Sequence, residues 1–300
     1  MRKIHLYIFS ALLLTGLFGS CRQTNDAAAD YDSTALKLAV LPTIECLPFY
    51  YADSLGLFEA AGLPLRLVTF KAAMDADTAF ANGGVDGIVS DMVKACIWQS
   101  DSDSLHMPMC GDLRLWLVAA SGTQMTKTSS LKEKIFAITR NSALDFFIDQ
   151  LQEKVGLQPL DINRPQINNL QLRMSMVDQN QMDGAVLPEP YASETVARGA
   201  TRLYGSDELM LNGMMCVLFA DSVGRQRHDD LAKLRQVYDQ AVDALNTDTI
   251  ASVLDFIPAE HRTFLPDTLF TNTPFTHSHA PNDSLVARIK TWAKGRSLIK

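Results

Sequence analysis

The sequence has no cluster of lysine and arginine, which excludes the usual way of holding nucleic acid, since phosphate neutralisation needs basic residues gathered together. Its 27 basic residues are outnumbered by 34 acidic ones over 300 positions, a formal charge of −7. Beyond the first 20 residues no apolar stretch is long enough to span a bilayer, so no transmembrane helix is expected in the body of the chain. Gly-x-Ser-x-Gly, a Walker loop and His-Glu-x-x-His are all missing, and with them the signatures of serine hydrolases, nucleotide-binding loops and zinc proteases. The chain therefore reads as a non-enzyme without a cofactor. Cysteine is scarce and follows no metal spacing. Besides Cys21, the four residues Cys46, Cys96, Cys110 and Cys216 allow either up to two disulfides or buried free thiols, which a body of this size favours.

What is present begins with a leader. Arg2 and Lys3 are followed by the apolar run Ile8 to Leu17, too short for a mature membrane helix and right for a cleaved signal over 1–20. The sequence Leu17-Phe18-Gly19-Ser20-Cys21 is similar to the lipobox of bacterial lipoproteins, with Phe18 a departure. The resemblance implies diacylglycerol on the Cys21 sulfur and acylation, palmitate included, of its freed amine; more than one chain is what makes such an anchor stable. Losing the leader removes two basic and no acidic residues, so the charge moves from −7 to −9. Residues 21–34 read as a polar tether.

From Leu36 onward, short apolar runs alternate with helical segments. Leu36 to Leu41 and Leu65 to Phe70 have strand length, and Pro48 to Ala61 between them is rich in helix formers and stopped by Gly62. Met74 to Ala81 reads as a helix, Val85 to Val89 as a strand and Leu113 to Ala120 as a longer strand. A second series begins after the polar stretch Thr123 to Ser130: a strand over Lys134 to Thr139, a helix over Ala143 to Val155, a strand over Gly184 to Leu187, a helix over Tyr191 to Arg198 and a strand over Thr201 to Tyr204. Met214 to Ala220 is an apolar run able to return the chain to the first lobe, followed by amphipathic helices over Asp229 to Asn246 and Ser284 to Lys300. This pattern predicts an α/β fold of two lobes, 35–120 plus 214–300 and 121–213, each a mostly parallel sheet flanked by helices. Two crossings join them, with hinge changes expected near Ala119 to Gly122 and Gly213 to Val217.

Three blocks carry a family resemblance: Pro48-Phe49-Tyr50-Tyr51-Ala52 with Gly56-Leu57-Phe58, Ala79 to Asp86, and Asp183 to Tyr191 followed by Arg198-Gly199-Ala200. Together they resemble the periplasmic solute-binding proteins of nitrate, taurine, alkanesulfonate and thiamine-pyrimidine importers. The resemblance implies a two-lobed type II periplasmic binding protein-like fold that closes on a small polar solute, either an oxyanion or an aminopyrimidine, and delivers it to the permease and ATPase subunits of an ABC importer. It implies a monomer in the periplasm, held at the inner membrane by lipid on Cys21. A sensor or scaffold lipoprotein docking a protein partner, or an enzyme on the same fold, are the alternatives.

In open sheets, ligands lie at the carboxyl ends of strands, beside helix N-termini. The loops there supply the candidates: Cys46, Leu47 and Phe49 before and within the first helix, Ser90 and Asp91, Ser121, Arg140, Asn141 and Ser142, and Glu189 with Tyr191. Of Phe49, Tyr50 and Tyr51, one is expected to line the cleft. Glu189 suits either a ligand's donor or the cap of the following helix, and Asn141-Ser142 either an anion or a plain N-cap. Arg140 is the candidate cation for an oxyanion. His277 and His279 would share a strand face but lack a third ligand nearby, so no metal is assigned.

Overall fold

The computed structural model describes residues 34–101, 105–123, 125, 131–247 and 274–300, so the leader, Cys21 and the polar stretch around residues 126–130 lie outside the described residues. Leu36–Val40 (β1) is buried at four of its five positions, as a strand covered on both faces must be. A 3-10 turn at Ile44–Cys46 leads into Leu47–Ser54 (α1). The single helix expected over Pro48 to Ala61 is broken, because Gly56 sits at φ +66° and starts the short Leu57–Ala60 (α2) afresh. Leu65–Thr69 (β2), Ala73–Ala81 (α3), Gly87–Asp91 (β3), Met92–Asp101 (α4) and Leu105–Gly111 (β4) follow.

Next come Leu115–Ala119 (β5), the two-residue Phe136–Ala137 (β6), Ala143–Val155 (α5) and Leu170–Asp178 (α6). Gly184–Pro188 (β7), Tyr191–Ala197 (α7) and Thr201–Gly205 (β8) complete that series. Met215–Ala220 (β9), Asp221–Gln226 (α8), His228–Thr247 (α9) and Asp283–Gly295 (α10) close the described chain.

Two sheets result, ordered β2-β1-β3-β9-β4 and β6-β7-β5-β8. β1 is parallel to β2 and β3, whereas β9 is antiparallel to both its neighbours. In the second sheet β6 and β7 are parallel and β5 is antiparallel to β7 and β8. Each sheet is thus mostly of one direction with one reversed strand, and that strand is the first the chain lays down after crossing from the other lobe.

This topology corrects one expectation. Leu115 to Ala119 was assigned to the first lobe within 35–120, but it pairs with β7 from Leu115 opposite Pro188 to Ala119 opposite Gly184. The first crossing therefore lies at Gly111 to Leu115, not at Ala119 to Gly122. An apolar run reads the same in either sheet, and only its partners tell the lobes apart. The return crossing runs from Gly205 to Met215 and lies beside the first: Gly213 N–H donates to Asp112 Oδ1 at 2.9 Å, and Leu115 and Ser206 exchange backbone and side-chain bonds.

The cores follow from the patterning. α9 buries Leu231, Leu234, Val237, Tyr238, Ala241, Val242 and Leu245 on one stripe, with Tyr238 5.0 Å from Phe49 of α1. α10 packs on α4 of the first lobe, and its Trp292 meets Phe146 of α5 edge-on at 5.4 Å. The four described cysteines are buried free thiols. No helix among the described residues is long and apolar enough to cross a membrane.

Gly184 shows how tightly the second sheet is built. A Cβ there would stand 2.2 Å from the Val118 carbonyl oxygen and 2.6 Å from the Phe136 ring. Gly184→Ala is expected to cost about 3 kcal/mol, the upper range for overpacking, read as a lowered urea midpoint at unchanged slope.

Candidate functional site

The carboxyl ends of β1, β3, β6 and β7 face one another across the two lobes, and the loops that leave them enclose a cavity. Its space is about 670 Å³ counting the mouth, and about 70 Å³ of that admits the centres of water molecules. That inner figure holds about five waters, a small solute of a handful of heavy atoms. Leu113 and Leu115 of the first crossing and Ile88 of β3 supply apolar wall.

Asp91 ends β3 and caps α4: its Oδ1 accepts from Val93 N at 3.0 Å and Lys94 N at 3.1 Å. The same oxygen accepts from Ala143 N at 3.0 Å, the first residue of α5 in the other lobe. One carboxylate thus fills the N-termini of two helices and clasps the lobes together. Burial pushes Asp91 up to about 6, against the pull of Lys94 and the backbone donors. The Lys94 ammonium is ion-paired with Asp77 of α3.

Ser142 caps α5 in the ordinary way, its Oγ accepting from Leu144 N at 3.2 Å and donating to the Thr139 carbonyl at 2.7 Å. Arg173 of α6 is wholly buried behind it. Its guanidinium donates to the Ile167 and Val186 carbonyls and to Thr139 Oγ1, and no carboxylate among the described residues is ion-paired with it. Burial draws it down to about 9, which still leaves it a cation at neutral pH.

On the facing wall, the β1 to α1 loop brings Thr43 and Glu45 to the cavity. Burial pushes the Glu45 carboxyl up to about 7, against the pull of the nearby Thr43 hydroxyl, its own backbone N–H and, more weakly, Arg114. Thr43 Oγ1, Glu45 Oε2, Asp77 Oδ1 and Ser90 Oγ are buried and have no hydrogen-bond partner among the described residues. Buried polar atoms are normally satisfied, so a group of orphans around one cavity marks a place where something else bonds.

Of the sequence candidates, Cys46, Ser90, Asp91 and Ser142 line this cavity. Leu47, Phe49 and Tyr191 do not; they are core residues, 1%, 0% and 1% exposed. Tyr50 turns away to bond Thr69 Oγ1 at 3.1 Å, and Tyr51 is buried in the first lobe, so none of the three aromatics reaches the cavity. Arg140 and Asn141 flank a second depression nearer the cleft surface, with Arg140 exposed and bonding the Arg164 carbonyl. Asn141 adopts φ +53° and donates its N–H to Asp145 Oδ2. The anion position foreseen at Asn141-Ser142 is held by Asp91 instead.

Ser121 lies away from this cavity and Glu189 takes the cap alternative, its Oε2 accepting from Ser193 N in the first turn of α7, because a strand's direction and its partners come from far away in sequence. β5 is reversed, so its carboxyl end, where Ser121 lies exposed, points away from the cleft; the adjoining Gly122 N–H bonds Asn180 Oδ1. Glu189 is 2% exposed and its carboxylate is spent within its own lobe, on Ser193 N, Ser193 Oγ and Arg202. His277 bonds Asp243 and His279 bonds the Ala280 carbonyl, so the two imidazoles have separate partners.

No protein-family profile and no curated protein sequence matches this chain. Solved structures do. The alkanesulfonate-binding protein SsuA from Xanthomonas axonopodis bound to MOPS superposes with a TM-score of 0.72 at 16% identity, over 89% of this chain and 94% of that one. The nitrate-binding protein NrtA from Synechocystis gives 0.73 at 14%, over 89% and 83%. The ligand-binding component of an ABC-type import system from Staphylococcus aureus, solved with zinc, gives 0.71 at 14%, over 88% and 92%.

This chain has the periplasmic binding protein fold.

Within that fold, sequence reasoning missed Thr43, Glu45, Lys94 and Arg173, all of which line the cavity. Glu45 had a readable signal, a carboxylate in the loop Pro42 to Pro48 between a strand's end and a helix. Arg173 had none, since nothing nearby in sequence predicts that its acceptors converge on it from 139, 167 and 186.

Proposed function

We propose that this chain is the solute-binding receptor of an ABC importer, tethered by lipid on Cys21 at the periplasmic face of the inner membrane. It takes up one small polar solute as a monomer, closes its lobes about the paired crossings, and passes the solute unchanged to a permease driven by an ATPase. The observation that carries this reading is the cavity between the carboxyl ends of the two sheets, closed by the Asp91 to Ala143 clasp and lined by orphaned polar atoms. A tether supports it, because it keeps the receptor at high local concentration beside its permease.

The reading is tested by adding the deproteinised, low-molecular-weight fraction of an extract of the producing cells to solute-stripped receptor. A rise in melting temperature that scales with extract concentration is expected; no shift at any concentration contradicts a receptor. The anchor is tested separately. Cys21→Ala is expected to move the chain from the detergent-requiring membrane fraction to the soluble one, and an unchanged membrane fraction refutes lipidation there.

The two solute classes make opposite demands. An oxyanion needs free donors and an organic cation free acceptors, while a neutral aminopyrimidine needs some of each.

A further inference from the structure

At this cavity the charged donors already have acceptors, while four buried oxygens have no hydrogen-bond partner among the described residues. Lys94 is paired with Asp77, and Arg173 is engaged by Ile167, Val186 and Thr139. The N-terminal amides of α4 and α5 that reach the cavity are held by Asp91. Against this, Glu45 Oε2 and Asp77 Oδ1 are buried carboxylate oxygens without partners, and Thr43 Oγ1 and Ser90 Oγ are buried hydroxyl oxygens without partners. Thr43 is only 4% exposed, and its hydroxyl borders the cavity beside Glu45. An ionised carboxylate can only accept, whereas a hydroxyl can accept or donate. An oxyanion would face two carboxylates with unused lone pairs, Glu45 and Asp77.

We propose that the solute is a small organic cation of the amidine, guanidine or protonated-amine class, held through its N–H groups by Glu45 with Thr43 and Ser90. This rests on the receptor reading and narrows it. Bidentate N–H donation suits a carboxylate flanked by hydroxyls, and charge-assisted bonds of this kind are the strong ones in a low-dielectric site. The solute also offsets the burial of the Glu45 carboxylate, which the Thr43 hydroxyl, its own backbone N–H and Arg114 counter only in part. The titratable and charged groups around Glu45 are Arg114, Asp91, Cys46, Tyr50, Tyr191 and Tyr238. Arg114, the one cation among them, is turned to the Pro274 carbonyl at 2.6 Å and the Phe275 ring.

Calorimetric titration of the solute-stripped receptor with acetamidine, methylguanidine, methanesulfonate and nitrate, at pH 6 and pH 8, decides the matter. Both cationic probes stay protonated over this range. At least one is expected to bind, about tenfold more tightly at pH 8 than at pH 6, because the empty receptor must lose the Glu45 proton on binding below pH 7. Glu45→Gln, the same shape without the charge, is expected to remove that pH dependence and to weaken the cation about tenfold or more while raising the melting temperature at pH 8. Should the variant fail to fold, the choice of the wild type between the cationic and the anionic probes remains decisive, since Asp91 also titrates near pH 6. Binding of methanesulfonate or nitrate without either cation, or tightening as the pH falls, overturns the cation assignment and leaves the receptor reading standing. If no probe binds and the cell extract produces no thermal shift, the receptor reading itself falls, and this inference with it.

Discussion

Arg173→Ala is expected to lower the stability of the protein by about 4 kcal/mol, the largest single effect the structure supports. The side chain is wholly buried, and its planar fork reaches two carbonyls and one hydroxyl that lie on three separate segments of the second lobe. Deleting it leaves those three acceptors dry, at about 1 kcal/mol or more each, and opens a cavity that the surrounding strands cannot fill. Part of the loss is offset, because an unbalanced guanidinium no longer has to be desolvated. The controls separate the contributions. Arg173→Met restores most of the volume but no donor, so about 2 to 3 kcal/mol of the loss should persist. Arg173→Lys keeps the charge but cannot serve three acceptors in one plane, and is expected to fall between. Urea unfolding followed by circular dichroism measures all three, and a loss under about 1 kcal/mol for alanine would contradict the role assigned to this residue.

Asp91→Ala is expected to act on shape as much as on stability. The carboxylate holds Val93 and Lys94 at the start of α4 and Ala143 at the start of α5, so its loss removes a helix cap and the clasp between lobes at once. The cap accounts for about 1 kcal/mol of stability. The charged interlobe bond, about 1.5 to 3 kcal/mol, sets the balance between closed and open forms, so removing it shifts the closed fraction about tenfold to a hundredfold. Small-angle scattering should report a larger radius of gyration for the empty variant than for the empty wild type. Asp91→Asn keeps an uncharged acceptor and should lie between the two. Equal radii for all three would mean that something other than this carboxylate closes the cleft.

Much of the fold was legible because its punctuation is local. Pro42, Gly62 and Pro64 delimit β1, α2 and β2, and the three- and four-residue spacing of Leu231 to Leu245 marks α9. What failed depended on partners distant in sequence. β5 is as apolar as a strand of either lobe, and only its pairing with β7 and β8 assigns it to the second. α4 and α6 were overlooked because their buried faces include Lys94 and Arg173, polar residues that break an apolar stripe and are tolerated only because Asp77, Thr139 and two carbonyls meet them. The site shows the same limit. Its loops were readable from strand ends, yet they leave open whether Glu189 meets a ligand or caps α7, because Arg202, which pairs with it, comes from β8.

The receptor account is tested most directly by comparing the intact mass of the mature protein, purified without added ligand and then exposed to cell extract, under native and under denaturing conditions. The account predicts a single small solute per chain in the native spectrum that disappears on denaturation and, once released, migrates as a cation at neutral pH. Identical native and denatured masses after exposure to extract would contradict it.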